Sequence, residues 1–177
     1  MVKKRQRHLL IIGGGVFQVP AIKVAKSMGL KVVVTDYNVD AEGMLIADYP
    51  IEVSTRNINL TVNAAKQFHS SCPLDGVMTV GTDSSQTVAA VANALSLPGI
   101  PFEVAERSTD KIKMRRRLDE MGIAVPNYKP VWTIDDLNTA IEEMPLPLVI
   151  KPCDNMGARG VKMISEPHDA LSAFHEA

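Results

Sequence analysis

Cysteine is scarce in this sequence, and its two cysteines form no recognisable pattern. Cys72 and Cys153 lie far apart, and neither is part of a Cys-x-x-Cys pair. The sequence therefore predicts neither a disulfide framework nor a zinc site. The four histidines also lack the short, regular spacing of metal ligands. Since nothing indicates the oxidised cysteines of a secreted domain, a cytoplasmic location is the default expectation.

The sequence also lacks a long apolar run and an excess of charge of one sign. Only Leu9 to Ile12 separate the basic start from the first glycine, which is too short for a signal-peptide core or a membrane span. Nineteen Lys and Arg residues nearly balance twenty Asp and Glu residues. We expect no nucleic acid or membrane as a partner, because both recruit proteins through clustered basic residues.

What is present is an alternation of apolar strand-like runs with helical periodicity over the first hundred residues. This alternation is typical of a parallel sheet covered by helices, so we predict an α/β fold. Gly29 stands where a helix cap requires a residue without a side chain. The predicted strands are His8 to Ile12, Lys31 to Thr35, Pro50 to Ser54 and Gly76 to Val80, and the predicted helices are Phe17 to Met28, Leu60 to His69 and Asp83 to Ser96.

After the sequence LPGIP, at residues 97–101, the pattern changes, and we predict a domain boundary near residues 98–108. A basic helix, Thr109 to Met121, is followed by a proline-spaced extended stretch, Val125 to Trp132. Two strands joined by a polar loop then predict an antiparallel hairpin. The remaining predicted elements are a helix at Ile134 to Met144, the hairpin strands Leu146 to Lys151 and Val161 to Ser165, and a last helix at Glu166 to Ala177.

The glycine turn after the first strand permits two interpretations. Gly13 and Gly15 match the first two glycines of a dinucleotide-binding fingerprint, and Asp36 stands where an acid would bind the ribose, but Gln18 replaces the third glycine. Alternatively, any tight turn of this kind selects glycine whatever is bound, and Asp36 is a strand-end acid that faces water.

Two lysines and a loop of small residues in the second part predict a site for a chain of phosphates. Ser108 is the expected cap of the basic helix, Lys111 lies in its first turn, and Lys151 ends an apolar strand. The loop that follows carries Gly157 and Gly160. Ammonium groups neutralise phosphate oxygens, and backbone N–H groups of such a loop can close over them.

The ordered set DK…MGIAVP…LPLVIKP…GARGV resembles the ATP-grasp superfamily, particularly its carbamoyl-phosphate-synthase-like and amino-acid-ligase-like members. The resemblance covers essentially the whole chain. It implies a Rossmann-like parallel-sheet domain that precedes the ATP-grasp unit, at residues 1–107, and a small α+β lid subdomain of the ATP-grasp fold, incomplete here, at residues 108–177. In the family, the first of these domains does not bind NAD.

The resemblance also implies roles for individual residues. Lys151 and Lys111 match lysines that contact phosphates of ATP, although Lys111 can equally belong to a solvated helix face, as we expect for Arg115 to Arg117. The sheet edge of the first domain would face the acceptor substrate, although Asp83 and Ser84 can equally be helix caps. The expected phosphate-side loop residues are Asp154, Asn155, Gly157, Ala158, Arg159 and Gly160, and the expected substrate-side residues are Gly14, Gly15, Thr82, Asp83 and Ser84. Because Met156 and Ala158 replace glycines frequent in the family, we expect a stiffer loop.

The family joins a carboxylate, or bicarbonate, to an amine or similar nucleophile through an acylphosphate formed with ATP and Mg²⁺. Its metal-binding Glu and Asn residues lie in a second subdomain, so we expect the metal ligands outside this chain. We accordingly expect the chain to be an amino-terminal fragment of a longer ligase, inactive by itself, with ATP and a small-molecule carboxylate as ligands. We leave open whether the protein forms a homodimer. The alternatives are an NAD-binding oxidoreductase domain and a non-catalytic ligand-binding module.

Overall fold

A four-stranded parallel sheet organises the first part of the chain. The computed structural model describes residues 5–155 and 157–177. The strand order is β3-β2-β1-β4, and the register pairs Leu10 of β1 with Val33 of β2 on one side and with Val77 of β4 on the other. The strands are β1 at His8–Ile12, β2 at Lys31–Asp36, β3 at Tyr49–Glu52 and β4 at Gly76–Met78.

Helices cover both faces of this sheet, which explains why its central strands are continuously apolar. Alternate side chains of β1 point to opposite faces: Leu10 packs in a cluster with Ala65 and Val91, whereas Ile11 packs with Ile22 and Met44. The helices of this part are α1 at Val19–Ser27, which follows a 3₁₀ turn at Val16–Gln18, α2 at Glu42–Leu45, α3 at Ile58–Ser71, α4 at Ser85–Ala94 and α5 at Phe102–Thr109.

The second part of the chain is a small α+β arrangement built on an antiparallel hairpin. Its core consists of Leu137, Ile164, Ala170 and Ala173, so two helices cover one face of the hairpin. The opposite face leaves Val149 and Met163, a directly paired couple, largely exposed. The elements are α6 at Lys111–Glu120, α7 at Ile134–Glu143, β5 at Leu148–Ile150, β6 at Lys162–Ile164 and, after a 3₁₀ turn at Pro167–Asp169, α8 at Ala170–Glu176.

The predicted fold class is confirmed: a parallel sheet with flanking helices is followed by a small antiparallel sheet. The chain divides into two compact units, Met1–Glu106 and Arg107–Ala177. The assignment of residues 1–107 and 108–177 as functional domains stays a prediction. Within the described residues, no helix has the length and apolar character needed to cross a membrane.

Two predictions about the segment between residues 98 and 121 are wrong. The segment contains a helix, α5, where we expected only a break, and the basic helix begins at Lys111 rather than Thr109. Asp110 separates the two helices because its backbone is extended, at φ −95° and ψ 113°. Its side chain, not that of Ser108, caps α6 by accepting hydrogen bonds from the N–H groups of Ile112 and Lys113.

Candidate functional site

The glycine turn after β1 is held by hydrogen bonds from within its own unit. Gly13 has a φ of +98°, which favours glycine, and its N–H donates to the carbonyl of Thr35 at 2.8 Å. The N–H of Gly14 donates to a carboxylate oxygen of Asp36 at 2.8 Å. The carbonyl of Gly14 accepts from the N–H of Gly43 at 2.6 Å. The turn therefore has a precise shape without any ligand.

Asp36 is part of this turn rather than an acid that faces water. Besides accepting from Gly14, it accepts from the N–H of Asn38 at 3.0 Å through its other oxygen. A single carboxylate thus joins the loop after β1 to the end of β2. An internal acceptor is needed at this position whether or not a ribose binds there, because the N–H of Gly14 is buried.

Space around the glycines is taken up mainly by the protein. A Cβ atom on Gly14 would lie 2.9 Å from Cγ of Met44, whereas one on Gly15 would meet only Gln18 within 4 Å. Gln18, the residue in place of the third glycine, is buried, and its amide donates to the carbonyl of Val80. Gly14 is thus required for packing, and Gly15 is the more open of the two predicted substrate-side glycines.

The other predicted substrate-side residues lie in the loop between β4 and α4. Asp83 forms an ion pair with Arg56 at 2.8 Å, and the hydroxyl oxygens of Thr82 and Ser84 lie 3.1 Å apart. Ser84 is the N-cap residue of α4, yet its side chain makes no capping hydrogen bond. Because carboxyl ends of parallel strands share one sheet edge, this loop and the glycine turn belong to the same edge of the first unit.

A cleft of about 540 Å³ lies within the second unit. Residues of α6, α7, β5, β6, α8 and the extended stretch before α7 line it. Most of the lining is apolar, but Lys111, Arg115, Lys151 and Asp154 line it as well, together with Lys129, which pairs with Glu143. An apolar cavity with a few charged groups is the usual form of a small-molecule site, at about 300–1,000 Å³.

Lys111 ties the first turn of α6 to the loop after β5. Its backbone N–H donates to the carbonyl of Cys153 at 2.9 Å. Its ammonium donates to the carbonyl of Asn155 at 2.6 Å and lies 3.4 Å from that of Cys153. This lysine is also half-buried in the cleft wall. It is therefore not merely a solvated charge on the helix surface.

Lys151 follows the last residue of β5 and lines the cleft with an exposed side chain. Surrounding protein atoms still remove enough water from its ammonium to lower the pKa of Lys151, and the charges of Arg115 and Lys111 lower it further. Among the described residues, no carboxylate lies within ion-pair distance of Lys111, Arg115 or Lys151. The cleft wall therefore carries a concentration of positive charge that an anion would neutralise.

Arg115 differs from its two neighbours, and the expectation that all three arginines solvate the helix is wrong for this one. Arg115 is half-buried and lies over the ring of Tyr128, 5.2 Å from the ring centroid. Arg116 and Arg117 are exposed, and Arg117 pairs with Glu120 at 3.1 Å. One sequence signal for Arg115 was available: it lies four residues after Lys111 and hence on the same helix face.

The loop from Asp154 to Gly160 requires several left-handed backbone conformations. Gly157 and Gly160 have φ values of +72° and +71°, and Ala158 has +58°. A Cβ atom on Gly160 would lie 2.8 Å from Cγ of Pro152. With its φ of +58°, Ala158 has a backbone conformation that a residue with a side chain rarely adopts. The prediction about Met156 falls outside the described residues.

The remaining predicted loop residues have different surroundings. Asp154 lines the cleft and is exposed, and Asn155 provides the carbonyl that Lys111 binds. Arg159 is exposed. Which of these residues touch a ligand stays a prediction.

Cys153 also lines the cleft, but its surroundings disfavour the thiolate. Burial raises the pKa of Cys153, and the charges of Asp154 and Asp110 act in the same direction. In the part of the chain that the structure describes, no group of three His, Cys, Asp or Glu side chains is placed to hold a metal ion.

Comparison with known proteins relates both units to described families. Residues 2–109 match the model of the family "Alanine dehydrogenase/PNT, C-terminal domain". The crystal structure of the L-amino acid ligase from Bacillus licheniformis is similar over 98% of this chain and 42% of its own, at 26% identity and a TM-score of 0.77. The chain belongs to the alanine dehydrogenase/PNT C-terminal-domain family through residues 2–109, and as a whole it matches an amino-terminal portion of the ATP-grasp superfamily.

One further relative is similar in sequence, and one further solved structure is similar in fold. Alanine–anticapsin ligase of Bacillus subtilis strain 168 is 31% identical over 103 residues, which cover 56% of this chain and 22% of the relative. N5-carboxyaminoimidazole synthetase from Staphylococcus aureus, in a structure complexed with ADP, has the same fold with a TM-score of 0.77 at 22% identity, over 97% of this chain and 45% of its own. The chain spans 21% to 44% of the length of its most similar curated relatives.

The predicted membership of the ATP-grasp superfamily is thereby confirmed, and relatives of this chain are ATP-dependent ligases. Nucleotide complexes with ADP are known for neighbouring structures of the family. The individual residue roles in the ATP-grasp chain stay predictions.

Proposed function

We propose that the cleft of the second unit binds the phosphates of ATP and that the chain contributes this site to an ATP-dependent ligase. Lys111 and Lys151 would hold phosphate oxygens, and the loop from Asp154 to Gly160 would cover them with backbone N–H groups. The observation that carries the proposal is the crowding of three cations on one cleft without a carboxylate partner among the described residues.

The residues of the cleft fit a nucleotide in two respects. Its lining is largely apolar, which suits an aromatic base and a ribose, while its charged residues suit a polyanion. The cost of keeping Lys151 charged beside Arg115 and Lys111 is offset when an anion binds. A neutral ligand would leave that cost in place.

The proposed reaction has two steps. A carboxylate oxygen of the substrate, or of bicarbonate, attacks the γ-phosphorus of ATP, the bond between the β–γ bridging oxygen and that phosphorus breaks, and ADP leaves. An amine then attacks the acyl carbon of the acylphosphate, the C–O bond to phosphate breaks, and the amine loses a proton. The role of the covering loop is to keep water from the acylphosphate.

The first unit would present the acceptor substrate, at the carboxyl edge of its parallel sheet. Of the predicted contacts, Gly15 and Thr82 have the more open positions, whereas Gly14 and Ser84 are buried. We retain all five predicted residues, Gly14, Gly15, Thr82, Asp83 and Ser84, as candidates for this surface. A backbone N–H at Gly15 and a hydroxyl at Thr82 could bind a polar or anionic substrate group.

Phosphoryl transfer between anions generally uses Mg²⁺ to bridge the phosphate oxygens, and we propose the same here. The metal ligands would lie outside this chain. A cytoplasmic location and a homodimeric assembly stay predictions. Amino-terminal fragment status and inactivity of the chain by itself are parts of the same hypothesis.

The proposal is tested by changing Lys151 to Met in the protein as its gene encodes it. We expect apparent ATP affinity to fall about tenfold or more, because a hydrogen bond to a charged group contributes about 1.5–3 kcal/mol. Lys162→Met is the matched control: it removes the same charge from the facing strand, where Lys162 pairs with Glu176. Initial rates of ATP consumption against ATP concentration, together with equilibrium binding of ATP, provide the measurements.

Equal ATP affinity for Lys151→Met and Lys162→Met would overturn the proposed phosphate site. Loss of the rate without loss of affinity would move Lys151 from substrate binding to the chemical step. Circular dichroism spectra of both variants establish that each is folded.

The family match of residues 2–109 keeps a dinucleotide site at the glycine turn as a second candidate. The turn geometry gives it little support, because the N–H of Gly14 donates to Asp36 and both oxygens of Asp36 accept backbone hydrogen bonds. In a dinucleotide site these groups serve the pyrophosphate and the ribose.

A further inference from the structure

A third cation of the cleft has no role in the site described so far. Arg115 projects from α6 one turn after Lys111, lines the same cleft and is half-buried. Its charge contributes to lowering the pKa of Lys151. The guanidinium and both lysine side chains therefore line one cleft, and Arg115 lies one helical turn after Lys111.

An aromatic ring fixes the direction of this guanidinium. Tyr128 belongs to the extended stretch before α7 and also lines the cleft. Its ring centroid lies 5.2 Å from Cζ of Arg115, a distance typical of a cation–π contact. The guanidinium lies over this ring, and it carries five N–H donors that a ligand in the cleft could use.

We infer that Arg115 is a phosphate-binding residue of the cleft, that Tyr128 positions it, and that the site is built for an extended polyphosphate rather than a single phosphate group. This inference rests on the proposed function, since it concerns the same cleft. Two lysines could neutralise one phosphate group. A third cation, in a fixed orientation, is useful when charge is spread along a chain of phosphates.

The contrast with Arg116 gives the inference its control. Both arginines carry the same charge and are adjacent on α6, but Arg116 is exposed and does not line the cleft. A general attraction of anions to a basic helix predicts equal effects of the two residues. A built site predicts an effect of Arg115 alone.

The sole tryptophan of the chain provides the signal, because Trp132 lines the cleft. The 177-residue chain is titrated with sodium tripolyphosphate, with ATP and with inorganic phosphate, and Trp132 fluorescence is followed. We expect Arg115→Met to weaken tripolyphosphate and ATP binding at least about fivefold, and Arg116→Met to change it less than about twofold. The difference should shrink as salt is added.

Variants of Tyr128 test the positioning role. Tyr128→Phe keeps the ring and should bind tripolyphosphate like the unchanged chain, whereas Tyr128→Leu should weaken binding in the same direction as Arg115→Met. Arg115→Lys keeps the charge but loses the planar group, and we expect it to recover only part of the affinity. A purely structural role of Tyr128 would lower stability without changing the ratio of tripolyphosphate to phosphate affinity.

The outcomes separate this inference from the proposed function. Equal tripolyphosphate affinity of Arg115→Met and Arg116→Met, with the unchanged chain binding well, would overturn the role of Arg115 and leave the lysine site standing. Equal affinity of the unchanged chain for tripolyphosphate and phosphate would overturn the selection for a polyphosphate. If the unchanged chain bound neither tripolyphosphate nor ATP, both proposals would fail together.

Discussion

In the first unit, the glycine turn satisfies its polar groups internally, whereas in the second unit the cleft keeps three cations without a carboxylate partner among the described residues. Gly14 and Asp36 bind each other in the first unit. Lys151 and Arg115 crowd each other in the second. The comparison shows that the motif most suggestive of a ligand can serve the fold, while a less regular set of residues carries the charge that a ligand needs.

The two units also differ in packing, and the first is packed more tightly than the second. Three consecutive residues of β1 and four of β2 are completely buried in the first unit, namely Leu10, Ile11, Ile12, Val32, Val33, Val34 and Thr35. In the second unit, α6 has no buried residue, and one face of its hairpin is open. A well-packed unit tolerates little change, whereas a loosely packed unit can rearrange around a ligand.

The largest expected effect tests how tightly the first unit is packed at the glycine turn. A Cβ atom on Gly43 would lie 2.7 Å from the carbonyl oxygen of Gly14 and 2.8 Å from Cδ1 of Ile22. Gly43→Ala should therefore lower the free energy of unfolding by about 3 kcal/mol, because the nearest atom belongs to the backbone. Urea unfolding followed by far-ultraviolet circular dichroism measures the change.

Gly76→Ala is the control for this prediction. A Cβ atom there would meet only Cδ1 of Leu9, at 3.4 Å, so we expect a change within about 0.5 kcal/mol. Similar losses in the two variants would show that the turn is no more constrained than the rest of the sheet.

The second prediction separates a structural from a dinucleotide-binding Asp36. Asp36→Asn leaves one of two backbone N–H groups without its acceptor and should lower the free energy of unfolding by about 1.5 kcal/mol. Asp40→Asn, on an exposed residue nearby, should change it by less than about 0.5 kcal/mol. Neither the unchanged chain nor Asp36→Asn should bind NADH in a fluorescence titration. Tight NADH binding that Asp36→Asn abolishes would contradict our interpretation of the turn.

The smallest expected effect concerns the loop of the second unit. Ala158 has a φ of +58°, so Ala158→Gly should relieve backbone strain and raise the free energy of unfolding by about 0.5 kcal/mol. Ala124→Gly, without a positive φ, should lower it by about 0.5 kcal/mol. Urea unfolding followed by Trp132 fluorescence reports on this unit. If both variants changed the free energy of unfolding in the same direction, Ala158 would not be strained in solution.

Much of the fold could be predicted because periodicity records burial directly. Strand β1 has the predicted bounds, and the antiparallel hairpin is confirmed. The predictions failed near α5 and α6: α5 was not expected, and the extended backbone of Asp110 makes α6 begin at Lys111 rather than Thr109. Backbone conformation at one residue leaves little trace in a hydrophobic pattern.

The candidate site was predictable in its residue types but not in its details. Lys151 directly after a strand and Lys111 near a helix start were visible in the sequence. The difference between Arg115 and Arg116 was visible only through the four-residue spacing from Lys111, and the cleft itself was needed to show that this helix face borders a site. The use of Asp36 by its own turn was equally hidden, since a ribose-binding acid would occupy the same position in the sequence.

The hydrogen bonds of Lys111 have a thermodynamic consequence. Its ammonium has three donors, and the carbonyl of Asn155 already takes one of them at 2.6 Å. If phosphate oxygens compete with the Asn155 carbonyl for this ammonium, ligand binding weakens this one hydrogen bond, and a substitution that weakens only this hydrogen bond raises ligand affinity. Loop mobility and nucleotide affinity would then be two measurements of one equilibrium.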